Sequence, residues 1–161
     1  MISRDRDTAG RARNDRPRDR LGRPLPPGSA GVARIPDDLE LGPQQTLTFA
    51  QQLLDDGLAF NAHEVLEAAW KNSPVAERML WQGLAQYAVG LTHIQRGNAK
   101  GAGTLLRRAS ERLGSYPANA QQHDVDLAGL IAHAQELLVA LDADTPITEE
   151  QLRTRLCRAP A

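Results

Sequence analysis

Cysteine is almost missing from this chain: Cys157 is alone among 161 residues. One thiol cannot close an internal disulfide, so cross-links contribute nothing to the fold, and a reducing, cytoplasmic setting is expected. A position so close to the C-terminus also disfavours a catalytic role for that thiol. Aromatic residues make up only 4% of the chain. The core must therefore be assembled from Leu, Ala and Val, which suits helices. No apolar run reaches the roughly 18 to 20 residues that span a bilayer, so no membrane partner is expected. The N-terminus alternates Arg with Asp and lacks the apolar centre of a secretory signal. Period-two alternation is absent over any strand's length, which predicts an all-α protein.

Charge is unevenly spread. Residues 1–34 carry nine Arg against four Asp, whereas the remainder carries ten Lys and Arg against sixteen Asp and Glu. A basic leader thus precedes an acidic body. Residues 1–36 hold few large apolar side chains and many Arg, Pro and Gly, too little to offset the entropy of ordering. They read as a disordered arm or an extended strap whose arginines meet acid on the body, and residues 37–161 read as one helical domain. Nucleic acid is a poor partner for this chain, because the arginines are interleaved with Asp and the body is acidic.

Turn and cap signals divide the body into about six helices, making a compact bundle. Pro43 opens the first, from about 43 to 56, and Gly57 stops it. The others are expected near 62–71, 75–96, 99–113, 124–142 and after Thr148, where Thr148-Glu149-Glu150-Gln151 is a capping box. A weak repeat at an offset of forty aligns Gly57, Ala59, Ala62, Leu66 and Ala69 with Gly97, Ala99, Ala102, Leu106 and Ala109. Two helix–Gly–helix hairpins resembling tetratricopeptide units follow from it.

The stretch "FNAHEVLEAAWKN" is one histidine short of a zinc-binding His-Glu-x-x-His helix. His63 and Glu67 are one turn apart, but a third ligand is missing, so no metal and no cofactor is expected. A structural account covers the same residues. Asn61 is a good N-cap with Glu64 three residues on, and Phe60 with Val65 would form a hydrophobic staple. Glu67 and Lys71 are an i,i+4 pair. In the long helix, Gln82, Gln86, Val89 and His93 fall with Arg78 on one narrow stripe of an otherwise apolar cylinder. Trp70 suits a core or groove wall.

"FNAHEVLEAAW" followed by "ERMLWQGLAQYAVGLTHIQRGNAKGAGTLL" resembles the domain of unknown function 309 family, over about Leu47 to Leu113. The shared pattern is H-E-x-L-E-x-x-W, then E-R, Q-G-L-x-Q, H and G-N-x-x-G-A. The Arg- and Pro-rich leader resembles the extension of actinobacterial relatives. The resemblance implies a small all-α bacterial cytoplasmic protein and no known activity. It falls on His63, Glu64, Glu67, Trp70, Arg78, Gln82, Gln86, His93, Asn98 and Gly101.

A binding or interaction module for a protein or small-molecule ligand is the favoured reading, with its polar cluster between the second and third helices. The alternative is a hydrolase using Glu64 or Glu67 as general base, with or without a metal; a structural adaptor would seal the same residues into a network. If the chain folds back at residue 73, Glu67 reaches Arg78, and Glu64 or His63 reaches Gln82. His93 then lies ~15 Å beyond the level of His63 and serves elsewhere, near Asn98 or the first helix. Gln86 and His93, with Trp70, are secondary members.

Overall fold

The computed structural model describes residues 17–159. Six α-helices follow one another: α1 (Pro43–Asp55), α2 (Ala59–Asn72), α3 (Arg78–Gln95), α4 (Ala99–Gly114), α5 (Leu127–Asp142) and α6 (Glu149–Leu152), with a 3₁₀ turn at Val75–Glu77. The architecture is all-α: among the described residues, extended pairing is limited to isolated bridges, Arg18 with Pro24 and Val125 with Cys157. Neighbours in sequence are neighbours in space, with α1 on α2, α2 on α3, α3 on α4 and α4 on α5. No helix among the described residues is long and apolar enough to cross a membrane.

The sequence repeat is a repeat of conformation. Gly57 and Gly97 both take left-handed backbone, at φ 76° and 74°. Beyond each glycine, the next amide returns to a carbonyl five residues back, Leu58 to Leu53 and Asn98 to His93, which closes the preceding helix. The next helix begins one residue later, at Ala59 and at Ala99. Asp144 ends α5 the same way at φ 53°, without glycine's freedom.

This geometry overturns the expected start of α2. Asn61 is no cap, and Phe60 no staple residue; both lie inside the helix, because Gly57 leaves only Leu58 as linker. Asn61 is buried, and its Nδ2 donates to the Ala33 carbonyl at 3.1 Å. The start of α5 also moves, to Leu127, with Asp126 as the cap accepting from the Gly129 amide at 3.0 Å. The capping box at Thr148 and Gln151 is present.

The core is aliphatic, built around Leu66, Leu80, Leu84, Leu91, Leu106, Leu113 and Leu130, with Trp81 and Tyr87 from α3. Glycine lets α3 and α4 approach closely. A Cβ on Gly83 would sit 2.8 Å from Leu113 Cδ2, and one on Gly90 would sit 2.7 Å from Leu106 Cδ2.

Residues 17–36 run over this body without helix, and Ile35 is buried in the core. Their arginines reach carbonyls and a ring. Arg20 donates to the Asp56 carbonyl at 2.6 Å and Arg23 to the Arg96 carbonyl at 3.3 Å, while Arg18 lies 5.1 Å from the Phe60 ring centre. Arg96 returns a bond to the Leu21 carbonyl at 2.7 Å. Gly22 lies flush on Phe60 with left-handed backbone. Residues 1–16, with five of the leader's nine arginines, lie outside the described residues. The segment after α6 is also pinned: Gln51 of α1 donates to the Thr154 carbonyl at 2.9 Å and accepts from the Leu156 amide at 2.8 Å.

Candidate functional site

Helix α3 is the centre of the bundle, and its surroundings decide which of its side chains can meet a ligand. From Leu80 to Thr92 every residue is buried except Gln82, Gln86 and Val89. His93, also partly exposed, continues the row. At 100° per residue these four make one strip, and Gly83 and Gly90, which face α4, lie beside it. The strip is therefore the floor of a groove between α2 and α4.

Arg112 of α4 spans that floor. Its Nη1 donates to Gln82 Oε1 at 2.9 Å and its Nε to Gln86 Oε1 at 3.1 Å. Sequence reasoning missed this residue, which lies 26 and 30 positions from its partners. His93 Nδ1 accepts from Asn98 Nδ2 at 3.2 Å, since an amide nitrogen only donates, so the ring proton sits on Nε2. Burial, followed by the charge of Arg96, pushes the His93 pKa down, in keeping with a neutral ring.

The other wall is α2, and its register differs from expectation. Gln95 donates to the Gly57 carbonyl at 2.9 Å, and the Arg96 guanidinium lies 5.5 Å from the Phe60 ring centre. Counting inward along the antiparallel pair from Gly57 and Gln95 brings His63 level with Val89, and Trp70 level with Gln82. Counting from Phe60 and Arg96 brings His63 level with His93. The expected offset of about ten residues between His63 and His93 shrinks to four or fewer, because Ser73, Pro74 and the 3₁₀ turn consume the chain that a helix from residue 75 would have used, while His93 still bonds Asn98 as expected.

Of the proposed cluster of His63, Glu64, Glu67, Arg78 and Gln82, the three α2 residues stay together and Arg78 and Gln82 leave it. His63 Nε2 pairs with Glu67 Oε2 at 3.1 Å, and its Nδ1 meets the Phe60 carbonyl at 2.9 Å. Lys71 approaches Glu67 at 3.7 Å. The His63 bond foremost holds the Glu67 carboxyl below its usual range. Arg78 is exposed, and among the described residues no ion pair or hydrogen bond joins it to Glu67. Gln82 answers to Arg112 instead of α2.

With Asp37, Glu67 and Lys71, Glu64 lines a cavity of about 290 Å³. It also shares a cavity of about 360 Å³ with Arg18, Ser29, Arg34, Asp37 and Asn61, roofed by residues 17–34. Burial raises its carboxyl pKa, with His63, Arg18 and Arg34 pulling the other way. Trp70 is partly buried against the core.

Two further polar pairs escaped the sequence. Glu77 binds His123 Nε2 with both side chains largely buried, and the Trp81 ring lies 5.8 Å from that imidazole. Tyr87, buried in α3, bonds His133 Nδ1, and His133 Nε2 donates to the Gln151 carbonyl at 2.7 Å. Burial pushes the Tyr87 hydroxyl far up. The first pair ties the loop before α5 to the 3₁₀ turn, and the second ties α5 to α3. Among the described residues no group of three or more His, Cys, Asp and Glu could hold a metal ion.

The sequence model of the domain of unknown function DUF309 matches residues 47–105. That match covers 59 of the 161 residues. It takes in the floor of the groove and the α2 wall, and stops short of Arg112. The uncharacterized protein YpuF of Bacillus subtilis (strain 168) is 44% identical over 48 residues, 29% of this chain and 28% of that protein. The match thus spans less than a third of that relative's length. No solved structure matches.

Proposed function

We propose that this protein is a binding module whose recognition surface is the α2–α3–α4 groove. The supporting observation is the single open row on an otherwise enclosed helix. A helix buried on nearly all sides has no structural need for amides and imidazole on its remaining strip, and the residues there are Gln82, Gln86, Val89 and His93. Gln82, Gln86, His93 and Trp70 are also positions on which the family pattern falls. Protein purified without an affinity tag should show a bound species by native mass spectrometry, lost on combining Gln82→Ser with Gln86→Ser. A variant that loses more than about 2 kcal/mol of stability, from a wild type that carries nothing, would return the strip to a structural role.

One observation favours hydrolysis as a second reading. The raised carboxyl of Glu64 beside a cavity suits a general base, whereas Glu67, held low by His63, does not. Turnover of an ester or phosphoester panel that vanishes in Glu64→Gln would select it over binding alone.

A further inference from the structure

Resting on the recognition groove proposed above, we infer that its ligand is an extended peptide segment, whose main-chain carbonyls accept from the amides of Gln82 and Gln86. Arg112 decides how those amides are turned. A guanidinium only donates, so the bonds at 2.9 and 3.1 Å require both Gln oxygens to face α4. Both NH₂ groups then look away from α4, and neither has an acceptor among the described residues. His93 presents a third neutral N–H, because its Nδ1 is occupied by Asn98.

The spacing suits an extended chain. Residues four apart on a helix rise by about 6 Å. Alternate carbonyls along one edge of an extended chain are about 6.6 Å apart, within the play of a Gln side chain. A helical ligand offers no such pair, since its carbonyls are turned along its own axis and already bonded. The donors at the floor are neutral, and the guanidinium nearest them is committed to two amide oxygens. A phosphate backbone would instead be drawn to Arg78 and Arg108, exposed cations one turn from Gln82 and from Arg112, so an oligothymidylate is the competing probe. Trp70, Val89 and Leu105, each partly exposed, flank the amides and supply apolar surface for side chains of such a peptide.

The discriminating variant is Gln82→Glu with Gln86→Glu. It keeps acceptor oxygens for Arg112 while deleting both NH₂ donors. Wild-type protein is screened against a displayed library of random twelve-residue peptides, and an enriched peptide is titrated into ¹⁵N-labelled protein. The side-chain NH₂ signals of Gln82 and Gln86 should shift on binding. The double Glu variant should melt no lower than wild type and bind at least tenfold more weakly. Should that variant fail to fold, peptides with the contacting amide units replaced by reduced CH₂–NH linkages must lose binding to wild type. Enriched peptides that leave both amides unmoved, or that bind the variant equally, overturn the inference, as does an oligothymidylate that moves the amides while no peptide is enriched. A co-purified small molecule moving the same amides overturns the peptide and leaves the recognition groove standing. Amides unmoved by every probe, in protein that carries nothing, overturn both.

Discussion

Gly90→Ala should destabilise the bundle, and the structure sets the size of the effect. A Cβ at this position meets Leu106 Cδ2 at 2.7 Å, Leu106 Cγ at 2.8 Å and the Leu106 backbone nitrogen at 3.5 Å. Carbon atoms pack best at about 3.5 to 4.0 Å, so roughly 1 Å must be found between two buried groups. Leu106 is fully buried and cannot swing into solvent. Overpacking of this kind costs about 1 to 3 kcal/mol, while helix propensity returns about 1 kcal/mol on replacing Gly by Ala. A net loss of up to about 2 kcal/mol is expected. Gly114→Ala is the internal control: its Cβ would meet only Ile131 Cδ1, at 3.8 Å, an ordinary contact. There the propensity term acts alone, and stability should rise by up to about 1 kcal/mol. Urea titrations followed by circular dichroism, compared at constant m-value, read both. Gly90→Ala at or above wild-type stability would refute the close-packing argument, since the same substitution at Gly114 calibrates the propensity.

Glu64→Gln should stabilise the protein at neutral pH. Burial raises this carboxyl, so its ionised form is disfavoured by folding. The penalty is absent below the unfolded pKa, develops as pH rises through the folded value and is complete above it. The melting-temperature gap between variant and wild type should therefore be widest near pH 7 and close below about pH 4; a gap that stays constant speaks against burial as its cause. Asp144→Gly should gain about 0.5 to 1 kcal/mol, because φ 53° is left-handed backbone that glycine adopts without strain; thermal denaturation showing a loss would contradict this. Gln51→Ala should cost about 1 to 3 kcal/mol and loosen residues 154–156, since it removes both bonds between α1 and that segment. Amide exchange at Leu156 left as slow as in wild type would show that those bonds do not hold it.

Helix identity was legible because its signals are local. Gly57 and Gly97 stop helices through their own backbone freedom, Thr148 caps α6 with its own side chain, and the offset-forty repeat mirrors two matching turns. Asn61 misled because its side chain bonds Ala33, 28 residues earlier, a use that no neighbouring residue announces. The groove was half legible. Periodicity alone aligned Gln82, Gln86 and His93, but not Arg112, which turns their amides, nor the register of α2. That register depends on where the chain folds back between α2 and α3, and Val75–Glu77 winding as a 3₁₀ turn shifts every pairing between the two helices. The pair of Glu77 with His123 spans 46 residues, and neither residue has a local sign of it.

The clasp of Gln51 on residues 154–156 bears on how the protein is made. Leu156 is joined to the growing chain 105 residues after Gln51. At about 5 to 20 residues per second, α1 waits on the order of 5 to 20 s for that partner, and longer while the nascent segment threads the ribosome. During that interval α1 and α2 can pair, yet the side of α1 that Leu156 later covers is open to proteases and chaperones. Chains stalled on ribosomes before residue 156 should be cut within α1 by a protease that spares the released protein.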